Sequence, residues 1–146
     1  MALRKKVQDS SIEFIARALV VHQRQVLLCW SLRGGYAYLP GGHIEFGETA
    51  ARAVVRELRE EVTGSFRASG LAGVHEHAFP GHHEVNLVFH VERRGRAELR
   101  SRESHIAFSW HPLSSLKRID LRPASLASMI PRLVKGRSPM WWSEQP

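Results

Sequence analysis

Three glutamates, Glu57, Glu60 and Glu61, fall within five consecutive residues, and Glu45 and Glu48 lie shortly before them. Five of the chain's fourteen acids thus crowd into a 17-residue window of a protein whose formal net charge is +7. Carboxylates at that density repel one another, and a bound metal cation is one way to offset the repulsion. On a helical wheel of about 100° per residue with Glu57 at zero, Glu60 falls near about −60° and Glu61 near about +40°, so the three share a face. Val54, Leu58, Ala51, Val62 and Val55 fill the neighbouring arc as the expected buried stripe, and Arg52, Arg56 and Arg59 occupy the remainder. Such a hard-oxygen face suits Mg²⁺ or Mn²⁺ and leaves coordination positions for waters and phosphate oxygens. A solvated acidic face balanced by nearby arginines is the plainer alternative, and the helix by itself leaves both open.

The elements that must present this face follow from cap and turn signals. Thr49 is a suitable N-cap for a helix from about Ala50 to Val62, which Gly64 stops. Ile12 to Val21, Gln25 to Ser31, Leu71 to Phe79, Glu84 to Glu92 and Ile106 to His111 are rich in β-branched and aromatic residues and read as strands. Arg33-Gly34-Gly35 and Pro40-Gly41-Gly42 read as turns around a short strand over Tyr36 to Leu39, and Arg93 to Arg96 around Gly95 reads as a hairpin turn. A second helix is expected from Pro123 toward Lys135, kinked or shortened by Pro131.

A chain of 146 residues with 43% hydrophobic and 24% charged side chains has the make-up of one globular domain. Disorder, collagen-like repetition and a fibrous coiled coil are excluded on the same ground. Apolar runs such as Ala18 to Val21 and Val26 to Trp30 are far shorter than the ~20 residues a membrane span requires. Met1 to Ser11 lacks the apolar core of a signal peptide, so a cytoplasmic location is expected. Residues 1–11 read as an N-terminal tail, 12–135 as the domain, and 136–146 as a C-terminal tail that Trp141 and Trp142 pin to the body or to a partner. Cys29 has no internal partner and apolar neighbours, which fits a buried strand thiol.

From Gly42 through Glu48 to Arg56-Glu57-Leu58-Arg59-Glu60-Glu61 the spacing resembles the signature of the Nudix hydrolases, G-x5-E-x7-R-E-U-x-E-E-x-G-U, where U is aliphatic. Each position through Glu61 agrees, and the flanking Leu39-Pro40-Gly41-Gly42 and Glu45-Phe46-Gly47-Glu48-Thr49 are similar to the MutT-like members. The match departs at its end, where Thr63 stands in place of Gly and Gly64 in place of an aliphatic residue, which moves the helix stop by one residue.

The resemblance implies an α/β fold, an α/β/α sandwich with a mixed β-sheet, and metal-dependent water attack on a pyrophosphate linkage in a nucleoside diphosphate joined to a group X. By position, Glu57, Glu60, Glu61 and the Gly41 carbonyl would be metal ligands, one glutamate serving as base, with Mg²⁺ or Mn²⁺ as the ion. Glu48 and Arg56 would form an ion pair that holds the loop against the helix. Glu103 resembles the late acid that many members add as a further ligand or base, an ordinary loop glutamate being the alternative.

Outside the signature, His82-His83-Glu84 reads first as a solvated cluster and second as a phosphate or metal contact. Trp30, Tyr36 and Tyr38 are either core aromatics or a stacking surface for a base. Arg93, Arg94, Arg96, Arg100 and Arg102 form a basic stretch without interleaved aromatics, which favours solvation over a nucleic-acid contact. The expected partner is a small nucleotide, with RNA less favoured, no membrane, and the oligomeric state open, a homodimer included. Pro80, sixteen residues beyond Gly64, resembles the ADP-ribose-cleaving branch, whereas the wording of the signature resembles the nucleoside-triphosphate branch. Trimming of RNA 5′ ends and non-catalytic nucleotide sensing are the competing functions, and the intact glutamate set speaks against the second.

Overall fold

In the computed structural model, which describes residues 10–144, the apolar run over 12–21 forms two strands rather than one. β1 (Ser11–Leu19) ends one residue short of the buried Val20, and β2 (Val21–His22) then joins a different sheet. β3 (Gln25–Ser31), β4 (Ala37–Tyr38), β5 (Gly41–His43), α1 (Ala50–Glu61), β6 (Ser65–Phe79), β7 (His82–Arg94) and β8 (Ile106–Pro112) follow. A 3-10 turn over Leu113–Arg118, α2 (Leu126–Lys135) and β9 (Met140–Glu144) complete the described chain. The larger sheet has the order β5-β1-β7-β6-β9, and the smaller one sets β3 between β2, β4 and β8. Parallel β1·β7 and β6·β9 pairs stand beside antiparallel β6·β7 and β1·β5 pairs, so the sheet is mixed, as expected.

Side chains alternate across a strand, and that period assigns each face to a helix. Ala16, Ala18 and Val20 pack with Leu27, Val54, Leu58 and Phe66 on the α1 side. Leu19 packs with Val26, Leu28, Ile130 and Leu133 on the α2 side. One helix on each face gives the α/β/α layering. Burying a side chain such as Leu58 contributes about 1.5–3 kcal/mol, so the apolar stripe rather than helix propensity fixes α1. Ala53 is buried as well, on the carboxylate side of the wheel, because β5 covers that flank.

Five sequence expectations are corrected. Pro40-Gly41-Gly42 is not a turn: Gly41 and Gly42 lie in β5, paired with Arg17 and Ala16 of β1. The hairpin turn is at Pro80-Gly81, between β6 and β7, while Arg93 and Arg94 end β7 and the chain continues irregularly past Gly95. Regular helix begins at Leu126, preceded by a turn in which the Leu126 N–H reaches the Pro123 carbonyl at 3.0 Å. Pro131 leaves α2 continuous, since it removes one internal hydrogen bond while Leu126, Met129, Ile130 and Leu133 bury the helix face. Most consequentially, residues within the expected C-terminal tail form β9, which runs parallel to β6 from Gly73·Met140 to His77·Glu144. Trp142 is half-buried against the α2 core and accounts for part of that docking. The expected N-terminal tail falls outside the described residues except for Ser10 and Ser11, and Ser11 opens β1. No helix among the described residues is long and apolar enough to cross a membrane.

Candidate active site

α1 carries the carboxylates, and its two ends are fixed locally. The Thr49 hydroxyl accepts from the Arg52 N–H at 3.3 Å, which satisfies one of the free donors of the first turn. At the other end Val62 is extended, its N–H still bonded to the Leu58 carbonyl, and Gly64 turns the chain at φ +116°. The stop therefore comes one residue later than the signature's own glycine would place it, as the sequence implied.

Arg56 ties the loop to the helix. Its Nε donates to Glu48 Oε2 at 3.0 Å and its Nη2 to Glu48 Oε1 at 2.7 Å, a bidentate pair. Nη2 also donates to the His43 carbonyl at 3.0 Å, and Nη1 reaches Glu57 Oε1 at 3.0 Å and Glu60 Oε1 at 3.4 Å. Glu48 further accepts from the Glu45 N–H at 2.8 Å. These bonds hold Glu48 well below the usual carboxylate range, the Arg56 hydrogen bond contributing most, and raise Arg56 above its ordinary value. The ion pair expected between Glu48 and Arg56 is thus present.

The three helix carboxylates sit in different surroundings. Glu57 is 16% exposed and lies against Gly42, whose missing side chain makes the space for it. Glu60 is 57% exposed and stands at the rim. Glu61 is the inner member: its Oε2 is buried and has no hydrogen-bond partner among the described residues. Burial first, then repulsion from Glu57 and Glu103, pushes its carboxyl up to about 7, against the opposing effect of Arg17.

Glu103 reaches this neighbourhood from a distant part of the chain because the loop before β8 docks on the end of α1. The Arg102 N–H donates to the Glu61 carbonyl at 2.7 Å, and the Thr63 N–H donates to the Arg100 carbonyl at 2.9 Å. The Thr63 hydroxyl accepts from the Arg100 N–H at 2.8 Å and donates to the Glu98 carbonyl at 3.3 Å. The side chain that departs from the signature therefore fastens the loop that carries Glu103.

Arg17 was not singled out by the sequence reading, although a charged residue inside Ile15-Ala16-Arg17-Ala18-Leu19 is a usable signal. It donates from Nε to Asn86 Oδ1 at 3.1 Å and from Nη1 to the Leu39 carbonyl at 3.2 Å. Burial lowers its pKa, while the nearby Glu84 and Glu61 favour its charged form. It also lines a cleft of about 790 Å³ together with Tyr36, Tyr38, His77 and Arg122. Arg122 stacks over the Tyr36 ring at 4.3 Å. Trp30 lies outside this cleft and donates to Ser109 Oγ at 2.7 Å. Tyr36 and Tyr38 are thus placed at a concave surface and Trp30 is not.

Other expectations separate in the same way. His83 faces Glu76 at 3.4 Å and His82 faces Glu13 at 3.7 Å, away from the helix carboxylates. Arg93 stacks over Trp110 at 6.0 Å, and Arg94 and Arg96 are exposed. Cys29 is fully buried, and burial pushes its thiol up to about 11, as an inert strand cysteine should be.

Comparison with known proteins gives the same frame. A family model described as the NUDIX domain matches residues 14–133. The 8-oxo-dGTP diphosphatase of Escherichia coli (strain K12) is 38% identical over 86 residues, which take in 59% of this chain and 65% of that protein. The chain thus matches just under two thirds of this curated relative. A MutT protein from Methanosarcina mazei Go1 superposes with a TM-score of 0.73 at 21% identity, covering 87% of this chain and 96% of its own. A UDP-X diphosphatase does so with a TM-score of 0.75 at 15% identity, covering 97% of this chain and 71% of its own. Identities that low speak to the fold alone. Since the family model runs from β1 into α2 and includes the whole carboxylate helix with its glycine loop, the chain belongs to the NUDIX family of hydrolases.

Proposed function

We propose that the chain hydrolyses a pyrophosphate linkage in a small nucleotide, a nucleoside diphosphate joined to a group X, with Mg²⁺ or Mn²⁺ as its metal. The observation that carries this is the buried, unpartnered Oε2 of Glu61 set among further carboxylates, an arrangement that a cation completes. The donors fit a hard ion, for all are oxygens: Glu57, Glu60, Glu61, the Gly41 carbonyl and Glu103 would hold it. When bound, the ion neutralises phosphate charge and lowers the pKa of an attacking water.

The chain's own residues supply the rest. Arg56 and Glu48 hold the glycine loop and Glu57 in one geometry, so the carboxylates need not reorganise during reaction. On this reading Glu61 or Glu103 takes the proton of the attacking water. Tyr36 and Tyr38 offer the cleft's stacking surface for a base, and Arg17 lends positive charge between cleft and carboxylates, where a polyphosphate would run. The relative named as an 8-oxo-dGTP diphosphatase directs the first choice of substrate to nucleoside triphosphates and their oxidised forms.

The test is a panel of nucleoside triphosphates, dinucleotide-type diphosphates and capped or triphosphorylated RNA, with products identified by chromatography. Activity on a small nucleotide should disappear with excess chelator and return with Mg²⁺ or Mn²⁺. Full turnover in chelator would overturn the metal-dependent reading. The exposed Arg94 and Arg96 keep the RNA-end reading in play, because basic residues bind polyphosphate backbones without regard to sequence. Their joint replacement by Ser should change small-nucleotide hydrolysis less than about twofold, as surface charges remote from a site do. A large loss confined to RNA substrates would favour the RNA reading instead.

A further inference from the structure

The docking of β9 beside β6 brings three metal-binding side chains, two of them on the wall of the cleft, together outside the set of helix carboxylates. His75 and His77 are alternate residues of β6, so both project from the same face of the sheet. Glu144 lies opposite His77 in the parallel register of β9. One donor atom from each residue falls within a cluster no wider than 4.8 Å. Glu144 Oε1 stands 3.7 Å from His75 Nε2, and Glu144 Oε2 stands 3.4 Å from His77 Nδ1.

These separations are too long for the N–H···O bonds that imidazole and carboxylate ordinarily make, whose usual range is about 2.7–3.2 Å. They are slightly wider than the spacing of about 3.3 Å between donors around a tetrahedral ion at about 2.0–2.1 Å, and a cluster spanning up to 4.8 Å closes onto an ion by small side-chain rotations. Both ring nitrogens are buried and lack a hydrogen-bond partner among the described residues, and His75 is only 2% exposed. Leaving two such atoms unsatisfied is unfavourable, which gives the cluster a reason to hold something.

The surroundings hold the donors in place. The Ser125 N–H donates to Glu144 Oε1 at 2.9 Å, and the Trp142 indole N–H donates to Ser125 Oγ at 3.1 Å. Trp142 also stacks on the His75 ring, with centroids 4.8 Å apart and an angle of 16°. Such outer contacts orient ligands and sharpen a metal site. His77 and Glu144 both line the cleft of about 790 Å³, so a fourth position is accessible to water or to a molecule in the cleft.

We propose that His75, His77 and Glu144 form a second metal site, selective for a borderline divalent ion of the Zn²⁺ class, which joins β9 to β6. Two imidazoles and one carboxylate are a nitrogen-rich set that Zn²⁺ accepts and Mg²⁺ does not, so the two sites of the molecule sort ions by chemistry. Because the site links a late strand to the sheet, occupancy stabilises the folded chain by mass action.

The experiment is calorimetric titration of the full chain with Zn²⁺ in excess Mg²⁺, which keeps the hard-oxygen site out of the measurement. One Zn²⁺ should bind per chain, and at about a hundredfold excess over Kd the Tm should rise by roughly 5 °C or more. Co²⁺ in place of Zn²⁺ should give the visible absorption of a tetrahedral centre. His77→Ala and Glu144→Gln should each weaken Zn²⁺ binding at least about 100-fold, beyond the loss typical of an outer-shell change. Glu61→Gln should leave it unaltered. Absence of Zn²⁺ binding that survives Mg²⁺ would overturn the proposal, as would parental affinity in the variants. If His77→Ala does not fold, Glu144→Gln decides, since its side chain is partly exposed and the change keeps its shape.

Discussion

Glu61→Gln is expected to lower turnover by at least about 100-fold, equivalent to about 2.7 kcal/mol of transition-state stabilisation, in a protein that remains folded. Gln preserves size and one carbonyl oxygen but removes the charge at the inner position of the cluster. Steady-state kinetics at saturating Mg²⁺ measures the effect, with the exposed Glu98→Gln as a control that behaves as the parent. Stability should move the opposite way in metal-free protein. Glu61 titrates at about 7 in the folded chain against an ordinary 4.5, so the folded state holds the extra proton between those values. Metal-free parental protein is therefore most stable below about pH 4.5 with respect to this group and loses that contribution as pH rises through 7. Glu61→Gln has nothing to lose, and at pH 8 in chelator it should exceed the parent by about 1–2 kcal/mol, a value reduced for partial solvent screening. The advantage should vanish near pH 4.5. Denaturant unfolding at the two pH values checks it. Parental turnover in Glu61→Gln would leave the carboxylate helix as a feature of fold only.

The adjacent glycines of β5 should separate stability from catalysis. A Cβ on Gly41 would run into the carbonyl oxygen of Ala16 in β1, and Gly41 has φ +146°. Neither backbone can yield without breaking the β1·β5 pairing. Gly41→Ala should therefore destabilise the fold by about 2–4 kcal/mol, seen as a lower midpoint of unfolding. A Cβ on Gly42 would instead meet the carboxylate of Glu57, the far end of a flexible side chain. That group can swing away at little cost to the fold, yet the swing removes it from Arg56 and from the carboxylate set. Gly42→Ala should change stability by less than about 1 kcal/mol and lower kcat by about 10- to 100-fold, as misplacement by about 1 Å does. Equal effects of the two substitutions on both measurements would contradict the division.

The carboxylate helix was legible from the amino-acid sequence. Spacing places Glu57, Glu60 and Glu61 on one face, Thr49 and Gly64 bound the helix, and all of this is local information that a period of 3.6 and two end signals carry. The Glu48·Arg56 pair was legible in the same window because the resemblance ties those positions together. Which carboxylate keeps a buried oxygen without a partner, Glu61, depends on contacts far along the chain. The loop before β8, fastened by Thr63 and Arg102, docks on the helix end and brings the charge of Glu103 to Glu61 from 42 residues away. Composition and period hold no record of such a contact. The glycines of β5 and the strand at 140–144 were misread for a related reason. Short strands are stabilised by hydrogen bonds to partners distant in sequence, β1 for the first and β6 for the second, and not by any pattern of their own. The meeting of His75, His77 and Glu144 is likewise a product of strand register, which sequence-local signals do not fix.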